Sequence, residues 1–164
     1  SDNWRDVMSP KEFADLIESH KEDVVNAWMD AVRADPRIHS DDGLPEYALR
    51  NHIPAIIEEI CQLLREGETP RASNTLESRV HTYVRYRQGY RGRELACELS
   101  QFRMAILDVV AENLADEWIG VKPFIDLSKT IHFYIDEEIR YAFSIYTEAE
   151  DEAQQPSPPA TEPN

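Results

Sequence analysis

The chain is short of base. Seventeen Lys and Arg stand against 32 Asp and Glu in 164 residues, a formal net charge of −15. Nucleic acid and anionic membrane both need a cationic face, so neither is expected as a partner. Residues 148–164 hold Glu148, Glu150, Asp151, Glu152 and Glu162 and no base, only a third of the excess, so the body is acidic too. Glycine is scarce, at 5 residues, and the alternation that marks strands is hard to find. Cys61 and Cys97 lie in helical patterns and not in paired loop spacing, which fits a reducing cytoplasm. No apolar run of about 18 residues and no signal-like segment occurs, so no membrane span is expected. The chain starts at Ser1, without Met, as a piece of a longer protein would.

Signatures of catalysis are missing as well. No Gly-x-Ser-x-Gly elbow and no P-loop is found. A di-iron carboxylate bundle wants Glu-x-x-His twice, and that set is absent. Glu58-Glu59 and Glu137-Glu138 are adjacent acids, and neighbours on a helix point apart, so neither pair makes an acid/base couple. His20, His52 and His132 lie on or beside apolar stripes. Each could face a haem-like or tetrapyrrole cofactor in a stand-alone binding protein, but a hydrogen-bonded structural histidine is the ordinary reading. The chain reads as a non-enzyme, and its cofactor stays unknown.

What is present is helical periodicity. Ser-Pro-Lys-Glu at residues 9–12 is a capping box with Pro at the first helical position. Phe13, Leu16, Ile17, Val24, Trp28 and Ala31 follow at helical spacing, as one helix or two in line, stopped near Asp35-Pro36. Leu49, Ile53, Ile56, Ile57, Ile60 and Leu64 form the next stripe, and Pro54 predicts a kink or a break near Asn51-His52. Three more helices follow around Leu76–Arg87, Leu95–Leu114 and Phe124–Ile145. The expectation is an all-α antiparallel bundle of about five helices over residues 1–150. Residues 151–164, acidic and Pro-rich, read as a disordered tail or linker.

Two features carry the candidate sites. Glu77, His81, Arg85 and Gln88 share one face of the third helix, beside an apolar set of Leu76, Val80, Tyr83, Val84 and Arg87. Such a polar stripe is ordinarily solvated. If Glu98 and Arg103 meet it across the Gly-Tyr-Arg-Gly turn, then His81, Arg85, Glu98 and Arg103 form a polar network that fixes the helix pairing or takes an anion or ligand. The last helix carries a second apolar stripe, which implies burial on two sides. We read it as a homodimer seam of Ile135, Ile139 and Phe143 with His132 at the polar edge.

The run His81-x3-Arg85-x2-Gln88-Gly89, Glu94-Leu95, Glu98-Leu99-x2-Phe102-Arg103 resembles the N-terminal domain of RsbRD-type RsbT co-antagonists. "FADLIESHKEDVVNAWMDAVRADPR", "LRNHIPAIIEEICQLLREG" and "YIDEEIRYAFSIYTEAED" are similar to that family's opening, second and closing segments. The resemblance covers roughly residues 11–150. It implies a cytoplasmic, α-helical signal-input domain that precedes an output module such as a histidine kinase.

Overall fold

The computed structural model describes residues 8–114 and 120–155. Among these, every regular element is helical. In order they are α1 (Pro10–Ser19), α2 (Lys21–Ala34), α3 (Glu46–Arg50), α4 (Ile53–Glu66), a 3-10 turn at Ala72–Asn74, α5 (Leu76–Arg87), α6 (Gly92–Asn113) and α7 (Val121–Gln154). The first two predicted helices are each divided in two, which accounts for seven helices where about five were expected.

The starts and breaks follow from local chemistry. Ser9 Oγ accepts the Glu12 N–H at 3.2 Å while Glu12 accepts the Ser9 N–H at 2.7 Å, closing the capping box in front of α1. The division at His20 separates α1 from α2. α3 and α4 part at Asn51-His52, where His52 turns left-handed (φ 68°). Pro54 is the cause. It has no N–H to donate, and its ring excludes the carbonyl four residues back. The helix therefore cannot run on, and the carbonyls that end α3 are left to find other donors.

α1 packs mainly on α4, α2 on α6, and α7 on both α5 and α6. The core runs through Phe13 and Ile17, Val24 and Trp28, Ile56 and Ile60, Leu99 and Ile106, and Leu127 and Ile131. Trp28 is fully buried, and its indole donates to the main-chain carbonyl of Glu98 at 3.3 Å, tying α2 to α6. Cys61 is buried and Cys97 half-buried, both as free thiols. α7 continues to Gln154, past the domain boundary expected at residue 150, and most of the expected tail, 156–164, lies outside the described residues.

One helix is inside out. α5 buries Ser78, His81, Thr82 and Arg85, all polar. Three of its apolar residues face outward, Leu76 59%, Val80 44% and Tyr83 51% exposed. The stripe expected to be solvated is thus the core face. The reason lies in the neighbours: α3 presents freed carbonyls and α6 presents Glu98, and only a polar face of α5 can answer them.

Candidate functional site

Glu98 projects from α6 into the core, fully buried. From α5, Arg85 donates through Nε to both of its oxygens, at 2.9 and 3.1 Å. His81 Nε2 lies 2.8 Å from Glu98 Oε1. The spacing of four on α5 sets His81 and Arg85 one turn apart, so both reach one carboxylate. The rest of the Arg85 guanidinium caps α3. Nη2 donates to the Leu49 carbonyl at 2.5 Å, and Nη1 donates to the Ala48 carbonyl at 3.3 Å and to Gln88 Oε1 at 2.8 Å. Its Cζ also stands 5.1 Å from the centre of the Tyr90 ring. A planar fork with five donors suits this many acceptors, whereas a lysine does not.

Burial pushes the Glu98 carboxyl upward. The charge of Arg85 and the bonds from His81 and Arg85 outweigh it and hold the group below the ordinary carboxylate range. Burial pushes His81 down, against the pull of Glu98. The set is therefore one cation, one anion and a neutral imidazole that donates through Nε2. His81 Nδ1 is buried without a hydrogen-bond partner among the described residues.

Arg103 is not part of this set. It sits on the other side of α6, where Nη1 comes within 3.5 Å of His132 Nδ1 on α7. The reason is angular: Arg103 is five residues beyond Glu98, which turns it well away from Glu98 on the helix. Two residues of the expected seam, Ile139 (37% exposed) and Phe143 (73%), face outward, and His132 is half-buried. Ile135 is fully buried within this one chain and belongs to its own core.

Sequence reasoning missed a second polar layer beside the first. Glu138, on α7, is fully buried and accepts from the Thr82 hydroxyl of α5 at 3.1 Å. Next to it, Tyr134 donates to Glu59 of α4 at 2.5 Å, and Glu59 also accepts the Glu77 N–H. A signal was present: Glu138 occupies a core position in the apolar series Leu127, Ile131, Tyr134. A third acid, Glu94, holds the loop after α2. It accepts from the His39 and Ser40 N–H groups, the Ser40 hydroxyl and the Arg91 N–H, at 2.7 to 3.0 Å.

Burial of Glu94 works against ionisation, but these donors hold its pKa at about 2. A depressed carboxyl contributes stability above its unfolded value and loses it as pH falls through the folded one. Glu94→Ala is accordingly expected to cost on the order of 1–3 kcal/mol near neutral pH. In urea titrations that difference from wild type shrinks toward pH ~2; a difference that stays constant with pH speaks against the assignment.

Among the described residues no cluster of His, Cys, Asp and Glu is placed to hold a metal ion. His20 pairs with Asp23 at 3.0 Å, His52 stands at the α3–α4 break, and His132 adjoins Arg103. No helix among the described residues is long and apolar enough to cross a membrane. Two of the open clefts among the described residues are mainly apolar. One of about 430 Å³ lies among Phe13, Leu64, Leu127 and Phe133. The other, of about 330 Å³, lies between α6 and α7 beside Ala96, Leu99, Ile139 and Phe143.

The family model described as the RsbT co-antagonist protein rsbRD N-terminal domain matches residues 22–156. The chain belongs to that family. The match begins at the second residue of α2, so α1 lies outside it. It runs through the whole of α7, and both polar layers of this RsbRD-type domain fall within it. The family is one of signalling and regulation. Comparison with curated proteins and with solved structures finds no match.

Proposed function

We propose that this domain is a non-catalytic, cytoplasmic input module. It takes a ligand or a protein partner at the bundle and passes the change along α7 to an output domain such as a histidine kinase. The observation that carries the reading is the shape of α7. Its 34 residues make a helix roughly 50 Å long. Its buried positions end at Ala142, and Tyr146 is the last residue packed on the core. The turns after Tyr146 run on away from the core that holds the helix. A rod anchored along most of its length transmits rotation or sliding.

The second part of the reading is a homodimer. Ile139 and Phe143 face outward beside the α6–α7 groove, and His132 stands about two turns before Ile139 on α7, next to Arg103. A second copy laid on this face would bring two α7 helices together, the arrangement through which a symmetric pair passes a shift to paired outputs.

Phase tests the transmission. With the domain fused through α7 to a histidine-kinase core, residues are inserted one at a time after Gln154, and autophosphorylation is followed. Each insertion turns the output by about 100°. Activity is expected to rise and fall with the helical period over seven insertions. A flat series would mean that α7 is only a tether.

A further inference from the structure

The carboxyl of Glu138 is buried without a counter-charge. It sits midway along α7, one turn from Tyr134 and one from Ala142, both buried. One oxygen accepts from Thr82 on α5 at 3.1 Å, and the other is buried with no hydrogen-bond partner among the described residues. The groups that face it come from every side. α5 supplies Thr82 and Arg85; α6 supplies Glu98; α4 supplies Glu59; α7 itself supplies Tyr134. Of these only Arg85 is a fixed cation, and its fork is already taken by Glu98, Gln88 and the carbonyls of α3. Arg79, the other arginine on the inner half of α5, lies over the Tyr141 ring at 4.5 Å. α1 faces the core with Phe13, Ala14 and Ile17. Two of the acids around Glu138, Glu59 and Glu98, repel a second negative charge.

We propose that Glu138 is a proton-operated latch between α5 and α7: as the neutral acid it keeps the two helices packed, and release of its proton parts them and frees the C-terminal helix. In the closed state the carboxyl is a neutral acid that accepts from Thr82. In the open state its O–H bond breaks, the proton passes to water, and the carboxylate is solvated. Burial pushes this carboxyl well above the ordinary range; Thr82 and Arg85 oppose that, and Glu98 and Glu59 add to it. The sign follows. A group raised in the folded state contributes fully below its unfolded value and loses that contribution as pH rises through the folded one. Glu138 therefore loosens the domain toward alkaline pH, opposite to His81 and Glu98, which loosen it toward acid.

The latch deepens the reading of α7 as the output helix and rests on it for its biological meaning. Its test is read on the domain alone, so it can fail while transmission through α7 stands, and the reverse. Hydrogen exchange of the full chain gives the opening constant of residues 121–154, corrected for the chemical exchange rate. In wild type it is expected to rise by up to about tenfold per pH unit above pH ~5. In Glu138→Gln, which keeps an acceptor for Thr82 and cannot ionise, it is expected to stay flat. A variant that rises with pH as wild type does overturns the latch. Should the variant not fold, wild type labelled with ¹³C at glutamate carboxyls decides. One carboxyl still titrating above pH ~6 supports the latch, and none doing so overturns it.

Discussion

Glu98→Ala is expected to cost the domain about 3–5 kcal/mol. That is a large part of the ~5–15 kcal/mol by which a domain is usually stable. The loss does not measure the worth of an ion pair. It measures what is left behind: Arg85, fully buried, keeps its charge with no anion beside it, and the His81 Nε2–H loses its acceptor. Urea unfolding followed by circular dichroism reads the change. A loss below ~1 kcal/mol would show that water reaches the set. Ordinary buried ion pairs tolerate replacement of all partners by apolar residues. This one differs, because Arg85 also closes the carbonyls of Ala48 and Leu49 that Pro54 set free. An apolar substitute at position 85 leaves those carbonyls buried and unpaired.

A charge on the outer face of α7 is expected to change assembly and not folding. Ile139→Glu places a carboxylate where the side chain is already 37% exposed, and Phe143→Glu where it is 73% exposed. The monomer tolerates either, whereas a dimer built on this face does not. Sedimentation should show the wild type as a dimer and both variants as folded monomers. Ile135→Glu, four residues before Ile139, is the contrast. It buries an unpaired charge in the monomer core and should unfold the domain, costing more than ~4 kcal/mol. A wild type that sediments as a monomer at high concentration removes the seam, and so does an Ile139→Glu variant that stays dimeric.

Caps and breaks were legible from sequence because their causes are local. Ser9, Pro10 and Glu12 write a helix start in four residues, and Pro54 writes a break wherever it stands. The approach of His81 and Arg85 to Glu98 was legible as one of two readings, since spacing on a helix gives a face but not its direction. α5 faces inward because of what α3 and α6 bring to it, and no property of residues 76–87 alone states that. The same limit explains the errors. Glu138 is one of two adjacent acids and also stands in the apolar series of its helix; the series, not the pairing, states where it lies. Arg103 is near Glu98 in sequence, but five residues on a helix turn the two apart. Ile135 and Ile139 share a helical spacing, but the inner and outer stripes of α7 adjoin and only Ile139 falls on the outer one.

The charge arithmetic inside the bundle has a consequence for ionic strength. The buried pair of Arg85 and Glu98 holds one positive and one negative charge. It sums to zero and lies beyond the reach of mobile ions, which screen exposed charges over about 8–10 Å of water. The surface is the opposite: a net charge of −15 repels itself, and added salt relieves it. Rising salt therefore relieves repulsion at the surface and leaves the buried Arg85–Glu98 pair as it was, so the stability lost on removing Glu98 should not depend on salt.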